Sequence, residues 1–161
     1  MKRLSNLLAA LVFASLVIFM SCGGGGDDPA PTVEELAAAD LVGKTWTVNA
    51  SSITYDGSVP DGNWDNFSLS FSGGAAGGSY TASGVDSSDP GFSDVWPSNG
   101  SWEFIVSNDR VTGIRRTNDD IPMTGTISGT SLTLTFSVPD PGTARTSGLY
   151  DAPWAFTFSA P

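Results

Sequence analysis

Apolar and polar residues alternate along most of the chain after residue 45. In one segment, Phe67, Leu69 and Phe71 alternate with serines at 68, 70 and 72. This period of two predicts a β-strand with one buried face. Seven further segments show the pattern, the one at 110–116 less regularly: 46–50, 80–82, 102–106, 110–116, 123–127, 132–138 and 154–158.

Turn signals separate these eight predicted strands, among them "SGG", "SNG", "SND", "TNDD" and "SGT". Strands joined by short turns pair in antiparallel fashion. An all-β domain of eight antiparallel strands is expected to form a barrel or a β-sandwich.

One short helix is predicted before the first strand, in "PTVEELAAADLVG". Thr32 and Glu35 have the spacing of a capping box, and Gly43 is placed to end the helix. One face of this helix, residues 33–41, is apolar: Val33, Leu36, Ala37 and Leu41.

Several motifs resemble the lipocalin-like domains of uncharacterised bacterial surface lipoproteins, over about residues 33–159. They are Gly43-Lys44-Thr45-Trp46, "DVWPSNGSWEF", "SLTLTFSV", the arginine in "GTARTSGL" and the terminal "WAFTF". The resemblance implies an eight-stranded antiparallel up-and-down barrel with a short N-terminal helix, the β-sandwich being the alternative. It implies a location on the cell surface and no settled activity.

The N-terminus predicts an export signal. Lys2 and Arg3 precede an apolar stretch at 7–20 that is short for a membrane-spanning helix. The following "FMSC" resembles the lipobox of bacterial lipoproteins, which implies that Cys22 is acylated, for example with palmitate, and becomes the first mature residue. The alternatives are an ordinary secretory signal with an incidental cysteine, or an uncleaved anchor.

The predicted organisation is a signal peptide at 1–21, a flexible tether at 22–31 and a β domain at 32–161. The tether reads "GGGGDDPAP" after Cys22, a composition that does not fold. Three acyl chains would make membrane attachment effectively permanent. Gly23 stands where inner-membrane lipoproteins commonly have aspartate, which favours the outer membrane, on its surface or its periplasmic face.

Charge excludes one class of partner. Without the signal peptide, 17 acidic residues face five basic ones: Lys44, Arg110, Arg115, Arg116 and Arg145. Such a chain is poorly suited to bind nucleic acid, whose phosphates require a basic surface.

Composition also argues against an enzyme. The chain has no histidine and a single cysteine, so neither a His-containing triad nor a Cys/His zinc site can be assembled. Asp61, Asn63 and Asp65 alternate as at the start of a calcium loop, but the glycine and the glutamate of that loop are missing. We expect no catalytic residues, no metal and no cofactor.

Two hypotheses for function remain. In the first, aromatic residues in glycine- and aspartate-rich connections recognise a glycan or a protein, or serve as a scaffold. This requires exposed rings, and the alternative is that the rings pack beneath their own loops. The candidate ligand-binding residues are Trp64, Phe92, Trp96 and Tyr150.

In the second hypothesis the barrel carries a small hydrophobic ligand in its interior. An eight-stranded barrel has room for side chains or for one small ligand, and many aromatic side chains compete for that space, which favours a packed core. Ten inward positions are aromatic: Trp46, Phe67, Phe71, Tyr80, Trp102, Phe104, Phe136, Trp154, Phe156 and Phe158.

Four residues are expected to be structural: Trp46, Trp102, Trp154 and Arg145. The turn at Gly43 predicts that Trp46 lies buried at one end of the barrel beneath the helix. True lipocalins lay an arginine across the first-strand tryptophan, which implies that Arg145 stacks on Trp46 or Trp154. The alternative is that Arg145 is a solvated surface arginine.

Overall fold

The computed structural model describes residues 29–85, 90–140 and 149–161. It contains two helices, α1 (Val33–Leu41) and α2 (Pro90–Val95). It contains eight strands: β1 (Thr45–Tyr55), β2 (Ser68–Gly74), β3 (Gly77–Ser83), β4 (Asn99–Ser107), β5 (Arg110–Arg116), β6 (Ile121–Ser128), β7 (Ser131–Ser137) and β8 (Pro153–Ser159).

The strands form a closed antiparallel barrel in which each strand pairs with the next and β8 pairs with β1. This up-and-down order confirms the predicted eight-stranded barrel and rules out the sandwich. Each of the eight predicted segments is a strand, because period-two alternation places one face of each strand inside a closed sheet.

The strand β1 is longer than its pattern predicts. It pairs with β8 at Val48 and again at Ile53, and the register shifts between these positions. The irregularity lets both side chains face inward although they are five residues apart, an odd spacing. The strict alternation of inward and outward side chains therefore does not continue beyond residue 50 of β1.

The two ends of the barrel differ. At the helix end, β1 begins and the even-numbered strands finish, and α1 lies against β2, β5 and β6. Thr32 caps α1 by accepting from the Glu35 backbone N–H, and the Glu35 carboxylate accepts from the Thr32 N–H, which confirms the capping box. The buried face of α1 carries Ala38 and Leu41. At the opposite end, called the loop end, β1, β3, β5 and β7 finish.

Helix α2 was not predicted. Its six residues, "PGFSDV", are too few to show a helical period, and their glycine and proline are typical of a loop. The turn continues into the next residue, because the Trp96 N–H donates to the Phe92 carbonyl at 3.0 Å. The aromatic side chains of this segment are therefore held on a helical turn at the loop end.

Aromatic side chains fill the described interior of the barrel. Of the ten predicted inward rings, nine are buried and Phe104 is only partly buried. Phe104 lies beside the register shift between Ile105 and Val106, where the strand is irregular. Three rings from the connections at the loop end are buried with them: Trp64, Phe92 and Trp96. Within the described residues, no helix is long and apolar enough to span a membrane.

Candidate functional site

The four candidate rings at the loop end do not form an exposed platform. Trp64 and Trp96 are each 1% exposed and Phe92 is 4% exposed. Tyr150 is partly buried. The recognition hypothesis requires these rings to be exposed. That expectation is wrong for three of the four rings, because they pack into the barrel beneath their own connections.

Trp64 enters the barrel from the connection between β1 and β2. The Asn63 side chain accepts from the Asp65 N–H at 3.2 Å, and the Phe67 N–H donates to the Trp64 carbonyl at 3.0 Å, so a local turn reverses the chain. The indole then lies 5.0–5.8 Å, between ring centroids, from four other aromatic rings. They are Phe67, Phe92, Trp154 and Phe156.

Trp96 enters from the connection between β3 and β4, directly after α2. Its ring contacts five rings at centroid distances of 5.3–6.4 Å, four of them edge-on. They are Phe67, Tyr80, Phe136, Phe156 and Phe158. Phe67 and Phe156 also contact Trp64, so the two loop tryptophans share this pair of rings as neighbours.

Arg116 is a charged side chain inside this aromatic cluster, and it is 0% exposed. Its guanidinium donates to both carboxylate oxygens of Asp119, at 3.2 and 2.6 Å, and to the Val95 carbonyl at the end of α2. It also lies 5.6 Å from the ring centroids of Trp96 and Phe136. The arginine therefore joins β5, the turn after it and α2, and its charge is balanced by Asp119.

Tyr80, on β3, is 2% exposed and its ring lies 6.0 Å from that of Trp96. Burial raises the pKa of the Tyr80 phenol, and this effect outweighs the opposing effect of the nearby Arg116 charge. Tyr80 pairs with Gly100 on β4, and a Cβ at residue 100 would lie 2.7 Å from the phenol oxygen and 2.5 Å from Asn118 Oδ1. Glycine is required there because the phenol and the amide occupy the space.

Three buried donors in this region have no hydrogen-bond partner within the described part of the chain. They are the Trp64 and Trp96 indole N–H groups and the Tyr80 hydroxyl. We call these three residues, with Phe92 and Arg116, the loop-end cluster. The cluster offers apolar ring surface and unused donors, and its one charge, on Arg116, is balanced by Asp119.

Tyr150 holds α2 from outside the cluster. Its hydroxyl donates to the Asp94 carboxylate at 2.7 Å, and its carbonyl accepts from the Tyr55 hydroxyl at 2.9 Å. Asp94 therefore serves as an acceptor in a structural contact. Together with Arg116, Tyr150 fixes the last two residues of α2.

The residues expected to be structural lie as follows. Trp46 is fully buried and its indole N–H donates to the Leu41 carbonyl at the end of α1, at 2.9 Å, which agrees with the expected position. Trp102 and Trp154 are buried as well. Arg145 and Cys22 lie outside the described residues. Lys44 lies over Trp46, with Nζ 5.5 Å from the ring centroid.

Sequence reasoning missed the roles of Arg116 and Tyr80. The signal for Arg116 was its position, because it stands two residues after the inward-facing Ile114 and so occupies an inward position itself. A charge at an inward position made the 110–116 segment look irregular.

No described group of three or more Cys, Asp or Glu side chains is arranged to hold a metal ion. No family model, curated protein or solved structure matches the chain. The fold and the loop-end cluster thus define the class of protein, a closed β-barrel domain with a buried aromatic cluster.

Proposed function

We propose that this protein is a lipid-anchored, non-catalytic binding domain of the bacterial outer membrane, and that its barrel binds a small apolar ligand at the loop end. The observation that carries the ligand proposal is the origin of the rings there. Trp64, Phe92 and Trp96 come from connections, whereas the other buried rings of the interior come from strands, apart from Phe67, which directly precedes β2.

This difference matters because a strand side chain leaves the interior only if strand pairing breaks. A ring on a connection moves when a few loop contacts are exchanged, and such regions have the lowest local stability in a protein. The mouths of β-barrels are also frequent ligand sites. The three rings on the connections, Trp64, Phe92 and Trp96, are therefore the part of the interior that moves at the lowest cost to admit a ligand.

Recognition of a glycan or a protein by the same rings is the competing hypothesis. A ring stacks on a sugar through an exposed face, and the burial of Trp64, Phe92 and Trp96 leaves no such face. Tyr150 keeps part of its surface, but its hydroxyl and carbonyl are engaged in contacts with Asp94 and Tyr55. For these reasons we favour the interior site.

The ligand proposal is tested by titrating the intact protein with N-phenyl-1-naphthylamine, a neutral apolar fluorophore. We expect saturable binding of one probe per chain, with a blue-shifted emission. Trp96→Ala, which removes a ring from the cluster, should change the affinity. Leu36→Ala is the matched control, because Leu36 is exposed on α1 at the helix end.

Absence of saturable binding would contradict the interior site. Glycan-array binding that Trp64→Ala abolishes in a folded variant would instead support the competing hypothesis. Equal probe affinity in the parent, Trp96→Ala and Leu36→Ala would show that the probe binds elsewhere.

The anchor proposal rests on the sequence around Cys22 and has its own test. In a Gram-negative host grown with an alkyne-labelled fatty acid, we expect the protein to be labelled and to sediment with the outer membrane. Cys22→Ser should lose both properties, whereas Ser21→Ala, which keeps a small residue before the cysteine, should retain both. Labelling that survives in Cys22→Ser would refute acylation at this residue.

A further inference from the structure

The five tryptophans fall into two groups by the hydrogen bond of the indole N–H. The three on strands all donate to a backbone carbonyl: Trp46 to Leu41 at 2.9 Å, Trp102 to Ser79 at 3.1 Å and Trp154 to Leu149 at 3.1 Å. The two on connections, Trp64 and Trp96, have no acceptor among the described residues, although both are 1% exposed.

This difference has an energetic consequence. A buried tryptophan N–H usually has a partner, and leaving a buried donor unpaired costs its full desolvation free energy. The strand tryptophans avoid that cost and the loop tryptophans do not. The closed loop end is therefore less stable than an equally packed cluster whose donors are paired.

The Tyr80 hydroxyl adds a third unpaired group next to one of these donors. Its ring lies 6.0 Å from that of Trp96, and burial keeps the phenol protonated and able to donate. The Trp96 and Tyr80 rings are therefore neighbours in one part of an apolar interior, where the Tyr80 hydroxyl also lies near Asn118 and Arg116.

The charges near Trp96 indicate whether a ligand at this site carries an anionic or a neutral hydrogen-bond acceptor. Arg116 lies against Trp96, but Asp119 and the Val95 carbonyl already accept from its guanidinium. An anionic ligand would have to compete with Asp119 for this cation and would lie near a carboxylate. A neutral acceptor such as a ketone, ester or amide carbonyl meets no such competition.

We infer that the ligand of the loop end is a small, neutral, largely apolar molecule that carries a carbonyl-type acceptor, which receives hydrogen bonds from Trp96 and Tyr80. This inference rests on the proposed interior site. Trp64 supplies a further donor, and its ring contacts Phe67 and Phe156, which Trp96 also contacts.

The test uses two fluorophores that differ in the acceptor. The first, 6-propionyl-2-dimethylaminonaphthalene, carries a ketone, and the second, 2-dimethylaminonaphthalene, lacks it. Trp96→Phe and Tyr80→Phe each remove a donor and keep a ring. We expect each variant to weaken binding of the ketone probe by roughly threefold to tenfold, the range for one hydrogen bond, and binding of the ketone-free probe by less than twofold.

Trp102→Phe is the matched control, because the Trp102 N–H is already paired with the Ser79 carbonyl. This variant should change the affinity for the ketone probe and for the ketone-free probe by the same factor. The intact parent gives a second measurement that needs no variant, since hydrogen bonding to the ketone shifts the emission of the first probe to the red relative to an aprotic apolar solvent.

Three results would overturn the inference. If the two donor variants weaken both probes equally, the rings act only as apolar surface. If the ketone probe bound to the parent emits as in an aprotic solvent, its ketone receives no hydrogen bond. If neither probe binds the parent, the proposed interior site fails together with the inference, whereas the first two results leave that site intact.

Discussion

Arg116 is a fully buried charge, and its neighbours explain how the barrel accommodates it. Asp119 pairs with it through two hydrogen bonds, the Val95 carbonyl accepts a third, and two aromatic rings face the guanidinium. Truncating Arg116 would leave a cavity among these rings and the buried Val95 carbonyl without its donor, whereas the Asp119 side chain is 32% exposed and can be hydrated. The adjacent Arg115 differs, since its side chain is 42% exposed and pairs with Glu103 and Asp120 on the surface.

Replacing Arg116 by alanine is therefore expected to lower the free energy of unfolding by about 3–5 kcal/mol. Arg115→Ala, the control on the same strand, should cost less than about 1 kcal/mol. Urea unfolding followed by tryptophan fluorescence measures both. Similar losses in the two variants would show that burial does not distinguish these arginines.

The Tyr80 phenol links stability to alkaline pH. Its pKa in the folded protein is raised above the ordinary tyrosine value by burial, so the folded state holds the proton more tightly than the unfolded state does. Stability from this group is fully present below the unfolded pKa, about 10, and is lost as the pH rises through the folded pKa.

We expect Tyr80→Phe to remove this part of the pH dependence. The parent should lose stability relative to the variant above about pH 10, whereas the difference between them stays constant near neutral pH. Urea unfolding curves at a series of pH values measure the effect. Two stability profiles that remain parallel into the alkaline range would contradict it.

The exterior of the strands is largely covered by hydroxyl groups. On β7, the outward residues include Ser131, Thr133 and Thr135. Of these, Ser131 pairs with Ser159 and Thr133 pairs with Thr157 on β8. The outward Ser72 on β2 exchanges a 2.8 Å hydrogen bond with Ser79 on β3. Cross-strand hydroxyl pairs of this kind contribute to the stability of a sheet without adding apolar surface.

Helix α1 covers the helix end of the barrel, and its last residue is hydrogen-bonded to Trp46 on β1. The Leu41 side chain is 0% exposed, its carbonyl accepts from Trp46, and Lys44 covers the ring. The Gly43 N–H donates to the Phe71 carbonyl on β2, which fixes the turn between helix and strand.

Truncating Trp46 to alanine is expected to cost about 3–5 kcal/mol, because it leaves a cavity beneath α1 and an unpaired carbonyl. Val106→Ala is the control, since Val106 is 42% exposed on β4 and its truncation should have a small effect. Thermal and urea unfolding measure both variants. A Trp46→Ala variant that melts within a degree or two of the parent would contradict the structural role of this ring.

At the scale of the whole molecule, Pro31–Pro161 form a compact unit that contains the barrel and both helices. A closed barrel has no free sheet edge, and α1 covers its helix end. The contacts of this unit account for its fold without residues before 31.

A chain of residues 32–161 is therefore expected to unfold at the same urea concentration as the full-length protein. A chain that starts at residue 45 lacks α1 and should unfold at a clearly lower concentration, because Trp46 loses its cover. Circular dichroism and tryptophan fluorescence measure the transitions. Equal midpoints for the two shortened chains would show that α1 contributes no stability to the barrel.

The sequence by itself determined the strands and the capped first helix, because these follow from local periodicity and turn chemistry. It left a barrel and a sandwich open, and the pairing of β8 with β1 decided for the barrel. Phe67, Leu69 and Phe71 alternate with serines, and that pattern alone indicates which face is buried. The inward position of Trp46 followed in the same way, and Gly43 indicated that a helix precedes it.

Only the tertiary structure decided where the loop aromatics lie. Trp64 and Trp96 stand in segments without periodicity, so no local pattern states whether their rings turn outward or into the barrel. Their burial depends on rings contributed by distant strands, such as Phe156 on β8. The pairing of Arg116 with Asp119 and α2, and the unpaired indole donors beside it, depend on the same long-range packing.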